Sequence, residues 1–482
     1  MKILKDVIYG VDLDSIKGDT SIIIKSIEFD SRKVVDGSLF VAIKGENTDG
    51  HTFINKAIEN GASAIIYNDH SFGEEKITTI KTPNTRKALS IVTSNFYDNP
   101  SKKIKLVGVT GTNGKTTVAT TLFNLFNKAG LNSGLISTIN IQYAGNIFEN
   151  QHTTPDSKKI NEVLNEMIFN KIEFCFMEVS SHGIDQDRIN GLKFYCGVFT
   201  NITRDHLDYH KSFASYRNVK KKFFDNLKRD SFAIINADDK NSKFMVQNCL
   251  SKVKTFGIKN LADYMAKVLE IDFSGMLLKI NNKEFWTPLI GKFNASNLLA
   301  VFSVADIAGI NSIEILKILS QTKGIRGRFE ILKTPNDAFV IIDYAHTPNS
   351  LKNVIDTISQ IRTKNELFTT IIGCGGNRDL GKRSKMGKIV LNGCDKVIFT
   401  SDNPRYEKPE KIINDMLLGI DPNNIKKISK IINRREAIER GCSQLNSGDI
   451  LLVVGKGHET YQEIQGEKIP FDDIKIVKES LR

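Results

Sequence analysis

One stretch of twelve residues restricts the fold more than any other, because its pattern predicts a strand, a glycine-rich loop and the start of a helix, in that order. The stretch is LVGVTGTNGKTT, residues 106–117, and Leu122, Leu125 and Phe126 continue it at helical spacing. Glycines let the backbone approach phosphate oxygens closely, successive N–H groups can face an anion, and the helix N-terminus adds a favourable dipole. The sequence therefore predicts a phosphate-binding loop between a buried strand and a helix.

The side chains of this loop predict a nucleotide and a metal ion. Lys115 is expected to bridge the terminal phosphates, and the Thr116 hydroxyl to reach Mg²⁺. Only Thr112 and Asn113 separate the two glycines, so the loop is a shorter variant of the usual phosphate-binding loop. Downstream, an apolar strand ends in Glu178, whose carboxylate is suited to hold Mg²⁺ directly or through water.

Apolar runs alternate with helical segments through most of the chain, and this alternation predicts parallel sheets covered on both faces. The central runs span residues 104–109, 174–179, 197–200 and 232–236. After residues 324–330 the pattern resumes with runs at 339–343, 368–373, 397–400 and 450–454. These four later runs end in the polar clusters DYAHTP, GCGGNRD, SDNPR and GKGHE. Ligands bind beyond the carboxyl ends of strands in such sheets, so the four clusters predict one wall of a site.

The first part of the chain has a different pattern and is predicted to form a separate unit. Short strands are expected at residues 22–24, 39–43 and 64–67, with one helical segment at 52–59. The sequence Asn99-Pro100-Ser101 is typical of a linker. A length of 482 residues is consistent with roughly three domains, since single cores stop growing near ~250–300 residues.

The composition of the chain limits the kinds of molecule that it is expected to bind. The chain has 67 Lys and Arg against 55 Asp and Glu, a net charge of +12, which fits either a nucleic-acid surface or pockets for several anionic groups. Its only tight basic cluster is residues 220–222, which favours the pockets. The six cysteines form no metal-ligand or redox spacing and are expected to be reduced thiols of a cytoplasmic protein. Apolar stretches far shorter than ~20 residues predict no membrane span and no secretory signal.

Read together and in order, the motifs of this chain resemble those of the Mur ligases. The motifs are DSR (30–32), GTNGKTT (111–117), HTTPDS (152–157), MEVSSHGIDQDR (177–188), TNITRDHLDYH (200–210), Lys220, GKFNASN (291–297), DYAHTP (343–348), SDNPR (401–405) and GKGHE (455–459). The resemblance covers nearly the whole length of the chain. The SDNPR motif is similar to the motif in the branch of the family that adds meso-diaminopimelate. Two positions depart from the family pattern: Phe293 stands where His is frequent, and His152 where Asn is common.

The resemblance implies an α/β fold of three domains. These would be a small α/β N-terminal domain that binds uridine nucleotide (residues 1–99), a central P-loop ATPase-like domain with a parallel sheet (residues 100–325) and a C-terminal Rossmann-like domain that binds the amino acid (residues 326–482). It also implies an ATP- and Mg²⁺-dependent amide-bond ligase that adds meso-diaminopimelate to UDP-N-acetylmuramoyl-L-alanyl-D-glutamate through an acyl phosphate. The expected protein is a cytoplasmic monomer of peptidoglycan precursor synthesis, with small-molecule substrates and neither nucleic-acid nor membrane partners.

The resemblance also assigns site residues. Those expected to contact ATP are Gly111, Thr112, Asn113, Gly114, Lys115, Thr116, Thr117, Asn294, Asn297, Arg328 and Asp343, the last two being brought in by closure of the C-terminal domain. Those expected to bind the UDP-muramoyl dipeptide are Ser31, Glu46, Asn47, Thr48, Thr153, Thr154, Ser180, Gln186 and Arg188. Those expected to bind the amino acid are Arg378, Asp402, Asn403, Pro404, Arg405, Gly455 and Glu459. The catalytic set is Lys115, Glu178, His206 and Lys220, and the metal set is Thr116, Glu178, His206 and Lys220.

Two of these residues carry specific chemical predictions. A protonated lysine would repel Mg²⁺, whereas a buried neutral amine can add CO₂, so Lys220 is expected to be a carbamate (N6-carboxylysine). Its neighbours Lys221 and Lys222 are expected to be solvated cations. Arg405 is expected to hold the distal carboxylate of meso-diaminopimelate in bidentate fashion and so to select this acceptor over lysine.

Three other functions remain open from the sequence. They are a Mur ligase that adds L-lysine, a folylpolyglutamate synthase, and a P-loop protein that binds nucleic acid. The third is the least favoured, because the chain has a single Trp and no basic stripe with stacking aromatics.

Overall fold

A computed structural model gives the structure of the chain and describes residues 1–45, 48–69 and 77–481. Within these residues, sheets of five, eleven and six strands follow one another along the chain. No helix in the described ranges combines the length and the apolar character needed to cross a membrane.

The first unit is a five-stranded sheet with helices on its faces. Its elements are β1 (Lys2–Ile3), α1 (Leu4–Val7), β2 (Ser15–Lys17), β3 (Ile23–Ile24), β4 (Ser26–Glu28), β5 (Ser38–Val41), α2 (Ile54–Glu59), β6 (Ala62–Tyr67), β7 (Thr78–Lys81) and α3 (Thr85–Phe96). The sheet order is β2-β7-β6-β5-β4, parallel except for β2. The prediction of one helical segment is wrong, because α3 buries Ala88, Leu89 and Val92 against this sheet.

The predicted linker is itself packed. Asn99 adopts a left-handed backbone conformation, and a 3₁₀ turn follows at Pro100–Lys102. Pro100 and Ser101 are buried, and the Ser101 hydroxyl accepts a hydrogen bond from the Lys193 amide at 3.0 Å. The chain therefore enters the central unit along a fixed path.

The central unit contains the eleven-stranded sheet. Its elements are β8 (Lys105–Thr110), α4 (Lys115–Lys128), β9 (Ser133–Ile136), β10 (Asn140–Tyr143), β11 (Asn146–Glu149), α5 (Ser157–Phe169), β12 (Phe174–Glu178), α6 (Ser181–Asp185), β13 (Cys196–Phe199), α7 (Leu207–His210), α8 (Phe213–Asp225), β14 (Phe232–Asn236), α9 (Ser242–Met245), β15 (Lys252–Gly257), β16 (Tyr264–Asp272), β17 (Gly275–Ile280), β18 (Lys283–Thr287), α10 (Lys292–Ile307) and α11 (Ser312–Ser320).

Only the middle of this sheet is parallel. Strands β9, β12, β8, β13, β14, β15 and β16 run parallel, whereas β10 and β11 on one side and β17 and β18 on the other are antiparallel. The predicted parallel sheet is thus confirmed for the strands on which the prediction rested, and antiparallel strands extend it at both edges. Helices α4 and α10 cover one face and α5 and α8 the other, each with its own hydrophobic cluster. This leaves the carboxyl ends of β8, β12 and β13 side by side.

The third unit is a six-stranded sheet with helices on both faces. Its elements are β19 (Glu330–Lys333), β20 (Phe339–Asp343), α12 (Pro348–Ile361), β21 (Phe368–Ile372), α13 (Arg383–Gly393), β22 (Lys396–Phe399), α14 (Pro409–Met416), β23 (Ile428–Lys430), α15 (Arg434–Ser443), β24 (Ile450–Val454), β25 (Tyr461–Ile464), β26 (Glu467–Pro470) and α16 (Asp473–Ser480). The order is β19-β20-β24-β21-β22-β23, parallel except for β19. Strands β25 and β26 form a separate hairpin.

Ion pairs join the third unit to the central one. Arg204 Nε lies 3.2 Å from Asp379 Oδ2, and Arg378 Nη1 lies 3.7 Å from Asp208 Oδ2. The first unit meets the central one through Lys158 Nζ, which donates to Glu28 Oε1 at 2.7 Å. The carboxyl ends of the central and third sheets consequently face a common space.

Candidate active site

The loop after β8 is shaped by two glycines with positive φ. Gly111 has φ +147°, and a Cβ there would collide with the Thr200 hydroxyl. Gly114 has φ +88°, and a Cβ there would lie 2.5 Å from Asn297 Oδ1. Thr200, directly after β13, and Asn297, on α10, therefore approach the loop from two sides. Only glycine is small enough at positions 111 and 114.

The amides of this loop are divided between the protein and an open face. The Thr112 amide donates to Asn201 O at 2.8 Å, and the Asn113 amide to Asn201 Oδ1 at 3.1 Å. These two amides are thus engaged within the protein, and the contact of Thr112 and Asn113 with ATP stays a prediction. The amides of residues 114–117, at the start of α4, have no acceptor within the described chain, as expected for the first turn of a helix. An anion would bind at this helix end.

Two lysine side chains converge on one backbone carbonyl of the loop. Lys115 Nζ donates to Gly111 O at 3.0 Å and to Thr112 O at 2.9 Å. Lys220 Nζ, from α8, also donates to Gly111 O at 3.0 Å and has Thr110 Oγ1 at 3.3 Å. Burial lowers the pKa of Lys115, and burial together with Lys115 places the pKa of Lys220 well below its usual value. Two adjacent ammonium groups would repel each other, so this geometry favours one neutral amine.

The lysines that follow Lys220 differ from each other. Lys221 is buried, and its Nζ pairs with Asp225 Oδ1 at 2.6 Å, so the expectation of a solvated Lys221 is wrong. Lys222 is exposed, as predicted.

The Thr116 hydroxyl connects β12 to the third unit. It donates to Glu178 Oε2 at 3.0 Å and accepts from Arg328 Nη2 at 3.2 Å. Glu178 is 1% exposed, and its other oxygen accepts from the Thr138 amide at 2.7 Å. A hydroxyl and a carboxylate beside a phosphate-binding helix end are oxygen donors of the kind that Mg²⁺ prefers, so Thr116 and Glu178 fit this metal. Arg328 already reaches Thr116 here, as expected for a closed arrangement of the third unit.

His206 belongs to a different group of side chains. It has φ +52°, its Nε2 lies 3.5 Å from Asp205 Oδ2, and His346 Nε2 lies 3.9 Å from the same oxygen. Burial lowers the pKa of His206, so its imidazole is neutral near pH 7. No three His, Cys, Asp or Glu side chains gather as a metal cluster in the ranges that the structure describes. The predicted contact of His206 and Lys220 with the metal therefore stays a prediction.

The remaining predicted ATP residues surround the loop. On α10, Asn297 Nδ2 donates to Asn294 Oδ1 at 3.3 Å, and Asn294 Nδ2 donates to Ile290 O at 2.8 Å. Asp343 accepts from the Phe329 and Ala345 amides, both at 2.7 Å. Burial raises the pKa of Asp343 to about 6. Asp343 thus fixes the segment that carries Arg328, and Thr117 is buried in the first turn of α4.

Most of the residues predicted for the UDP-muramoyl dipeptide form one network around Glu178. The Thr154 hydroxyl donates to Glu178 O at 2.8 Å and accepts from the Ser180 amide at 2.9 Å. Arg188 Nη1 donates to Thr154 O at 2.6 Å, and its Nε donates to Gln186 Oε1 at 3.1 Å. Thr138 donates to the Thr153 hydroxyl at 3.1 Å. This network and the phosphate-binding loop therefore share one carboxylate.

The predicted residues of the first unit lie apart from this network. Ser31 is buried in a 3₁₀ turn, and Thr48 is exposed. Glu46 and Asn47 lie outside the described residues. In the described ranges, no hydrogen bond joins Ser31 or Thr48 to the central unit.

The predicted amino-acid residues form a second cluster at the carboxyl ends of β20, β24, β21 and β22. Asn403 Nδ2 donates to Glu459 Oε2 at 2.9 Å, and Lys456 Nζ donates to both Asn403 Oδ1 and Glu459 Oε2, at 2.9 and 2.8 Å. Arg405 Nη1 donates to Gly376 O at 2.8 Å. Gly455 has φ +115°, and a Cβ there would lie 2.5 Å from Asp402 Oδ2, a buried atom without a partner in the described chain.

Two further predicted residues border this cluster. Arg378 is half-exposed and faces Asp208, while Pro404 is buried within the strand-end loop. The four polar clusters predicted to form one wall therefore do lie together, since Gly455 N also donates to Asp343 O at 3.1 Å.

Comparison with known proteins identifies the family. Three family models match: "Mur ligase family, catalytic domain" over residues 23–97, "Mur ligase middle domain" over 109–305 and "Mur ligase, glutamate ligase domain" over 327–457. A protein of Phocaeicola vulgatus named UDP-N-acetylmuramoyl-L-alanyl-D-glutamate--2,6-diaminopimelate ligase is 46% identical over 477 residues, 99% of each chain. The chain belongs to the Mur ligase family.

Solved structures agree with this assignment. A structure titled as a UDP-N-acetylmuramoyl-L-alanyl-D-glutamate--2,6-diaminopimelate ligase has a TM-score of 0.70 at 31% identity and covers 100% of this chain and 98% of its own. MurF ligase from Thermotoga maritima, solved in complex with ADP, has a TM-score of 0.63 at 18% identity and covers 96% and 98%, which shows a shared fold. The three-domain α/β architecture of this Mur ligase is therefore established.

Sequence reasoning missed several side chains that organise the site of this Mur ligase. Asn201 holds the loop amides, and Lys456 lies inside the GKGHE motif, so motif spacing could have indicated both. Arg383 donates to Glu407 Oε1 at 2.8 Å and to Gly375 O at 3.2 Å, and so joins two strand-end loops. Glu463 pairs with Arg405 but lies in a hairpin without any motif, so no sequence signal pointed to it.

Proposed function

We propose that this Mur ligase uses ATP to join meso-diaminopimelate to UDP-N-acetylmuramoyl-L-alanyl-D-glutamate, in peptidoglycan precursor synthesis. The observation that carries the proposal is the chain of contacts Arg328–Thr116–Glu178. It brings the domain with the amino-acid cluster to the nucleotide loop and to the network proposed for the dipeptide. The full-length likeness to proteins named as this ligase supports the choice of substrates.

The first proposed step is phosphoryl transfer. A carboxylate oxygen of the UDP-muramoyl dipeptide bonds to the γ-phosphorus of ATP, the bond to the β-phosphate oxygen breaks, and ADP leaves. Lys115 would leave the carbonyls of Gly111 and Thr112 to bridge the β and γ phosphates, while the amides of residues 114–117 hold phosphate oxygens. Such a transition state needs positioning and neutralisation of charge more than covalent help.

The second proposed step is amide formation. The neutral amine of the acceptor attacks the acyl phosphate, the new C–N bond forms, phosphate leaves, and the nitrogen loses a proton. Water would hydrolyse the acyl phosphate, so the closed position of Arg328 against Thr116 serves to exclude it.

Thr116 and Glu178 would hold the Mg²⁺ ion, which supplies charge neutralisation for the transferring phosphoryl group. In the structure, the Thr116 hydroxyl donates to Glu178, so the two oxygens that would hold the ion already lie next to each other. We include His206 and carbamylated Lys220 in the proposed metal site.

The carbamate proposal for Lys220 has support in its surroundings. Lys220 is 1% exposed, and no carboxylate pairs with its amine in the described chain. Its neighbour Lys221 is also buried but has Asp225 as a counter-charge. The unpaired Lys220 is the one that gains from becoming an anion beside Lys115.

The direct test gives purified protein ATP, Mg²⁺ and UDP-N-acetylmuramoyl-L-alanyl-D-glutamate together with one amino acid at a time. Phosphate release and product mass are followed for meso-diaminopimelate, L-lysine and L-glutamate. We expect phosphate release and a ligated product with meso-diaminopimelate. Faster turnover with L-lysine would overturn the proposed acceptor. In a parallel reaction, a folate with L-glutamate replaces the dipeptide and the acceptor, and turnover in that reaction alone would overturn the proposed reaction.

The proposal also includes action as a cytoplasmic monomer on small molecules. Light scattering behind a size-exclusion column, at the protein concentration of the assay, checks the monomer. A filter-binding assay with an oligonucleotide at low salt should show no retention, and binding with a steep salt dependence would instead indicate a nucleic-acid partner.

A further inference from the structure

The hairpin of β25 and β26 is fastened onto the SDNPR loop. The Arg405 amide donates to Glu463 O at 3.0 Å, and the Gln465 amide donates to Arg405 O at 2.8 Å. The Glu463 amide donates to Asn403 Oδ1 at 3.0 Å, and Gln462 Nε2 donates to Asp402 O at 2.6 Å. These bonds fix the position of the Glu463 side chain relative to the residues proposed to bind the acceptor.

Glu463 is the counter-charge of Arg405. Its Oε2 lies 2.9 Å from Arg405 Nε, and the two side chains are 25% and 19% exposed. In the described chain, Arg405 Nη2 has no acceptor and Glu463 Oε1 has no donor. Each member of the pair therefore keeps one free side, on which a ligand could bind without breaking the pair.

The second carboxylate nearby is neutralised in a different way. Glu459 Oε2 accepts from Lys456 Nζ, and Lys456 is completely buried. The charge of Glu459 is thus balanced by a residue that no substrate can displace. Glu463, in contrast, has one ion-pair partner among the described residues, and this partner is the guanidinium to which a substrate carboxylate would bind.

We propose that Glu463 makes the acceptor site selective for a distal group that carries both a carboxylate and an ammonium. This inference rests on the proposed function. When a distal carboxylate binds to Arg405, it competes with Glu463 for the guanidinium charge. An ammonium on the same carbon restores the balance by pairing with the free oxygen of Glu463, so a zwitterionic end leaves every charge paired.

An acceptor with only one of the two distal groups would leave a charge unpaired. 2-Aminopimelate brings the carboxylate without the ammonium, and L-lysine brings an ammonium without the carboxylate. A partly buried unpaired charge is costly, so both should be poor acceptors for the unmodified enzyme. Arg405 alone would exclude L-lysine but would accept 2-aminopimelate.

The test compares kcat/KM for meso-diaminopimelate and 2-aminopimelate in the full-length enzyme and in Glu463→Gln. Glutamine keeps the size of the side chain but removes its charge. We expect the variant to lose roughly ten- to hundredfold in kcat/KM for meso-diaminopimelate, mainly through KM. Its kcat/KM for 2-aminopimelate should rise relative to its kcat/KM for meso-diaminopimelate. Glu463→Asp should recover part of the original preference.

Glu467→Gln is the matched control, because Glu467 lies on the same hairpin, is exposed and has no charged partner in the described chain. It should leave the ratio of the two acceptors unchanged. An unchanged ratio in Glu463→Gln would overturn the inference while leaving the proposed function intact. Failure of the unmodified enzyme to use meso-diaminopimelate would instead overturn the proposed function itself.

Discussion

The phosphate-binding loop and the amino-acid cluster are stabilised by different kinds of contact. The loop is held mainly by neutral hydrogen bonds from Thr200 and Asn201, one strand away. The amino-acid cluster is held by charge pairs between loops that are distant in sequence, such as Arg405 with Glu463 and Arg383 with Glu407. The difference indicates that the nucleotide half is positioned by local backbone geometry and the acceptor half by electrostatic balance.

The largest expected effect is in the nucleotide half. Lys115→Ala should lower kcat by ~10³-fold or more, because the cation proposed to bridge the β and γ phosphates is lost from the transition state. Its Nζ binds loop carbonyls and no core group, so the unfolding temperature without ligand should change little. Phosphate release and thermal unfolding together check this. A folded variant that retains ligase activity would contradict the nucleotide assignment.

The second-largest effect is expected for Lys220, whose amine shares the Gly111 carbonyl with Lys115. Lys220→Ala should lower activity by roughly 10²-fold through weaker metal binding, and a short carboxylic acid in the buffer should restore part of it. With ¹³C-labelled bicarbonate, the unmodified protein should show a carbamate signal in its NMR spectrum, and Lys220→Ala should not.

Lys221→Ala serves as the control for this signal, since Lys221 is also buried but is paired with Asp225. The carbamate signal should persist in it. If the unmodified protein shows no such signal and the activity of Lys220→Ala is nearly unchanged, then Lys220 is an ordinary amine.

A smaller effect is expected in the acceptor half. Arg405→Ala should raise KM for meso-diaminopimelate by roughly ten- to hundredfold, because a charge-assisted hydrogen bond is worth ~1.5–3 kcal/mol. The affinity for ATP, measured by calorimetry, should stay the same, since Arg405 has no contact with the phosphate-binding loop in the described chain. A parallel loss of ATP affinity would show that the two halves are not independent.

The smallest effect concerns stability and pH. The hydrogen bond from Arg383 lowers the pKa of Glu407 from 4.5 to about 2. A lowered carboxylate pKa contributes stability above pH 4.5, and that stability is lost as the pH falls toward 2. Glu407→Gln should therefore reduce the free energy of unfolding at pH 7 by roughly 2–3 kcal/mol and flatten its fall between these pH values.

Urea unfolding at pH 7 and pH 3 measures this effect. Glu410→Gln is the control, because Glu410 is exposed and has no ion pair in the described ranges. Equal slopes for the unmodified protein and Glu407→Gln would mean that Arg383 does not stabilise the charged form of Glu407.

The sequence predicted features that are encoded locally. The strands at residues 232–236, 339–343 and 450–454 were predicted at their observed bounds, because each is a short apolar run that ends at a polar residue or at a glycine. The helix after the phosphate-binding loop begins at Lys115, within the stretch from which it was predicted, and buries Leu122, Leu125 and Phe126 on one face. In such cases the local pattern and the tertiary environment agree.

Features that depend on distant partners could not be predicted in this way. Helix α3 contains Thr and Ser at many positions, which weaken its helical signal, yet packing on the first sheet stabilises it. The burial of Lys221 follows from Asp225 and from Phe244, which lies under its amine at 5.7 Å. Glu463 became part of the site only because a hairpin crosses the SDNPR loop.

The hairpin of β25 and β26 is bonded to the SDNPR loop but contributes no strand to the six-stranded sheet. Substitutions within it can alter what surrounds Arg405 without disturbing the hydrogen bonds that hold the domain together. The stability of the domain and its selection of the acceptor thus depend on separate parts of the chain. Over evolutionary time, a lineage could exchange one amino acid of its cell wall for another by changing a few residues of an appendage, while the framework of the enzyme stays as it was.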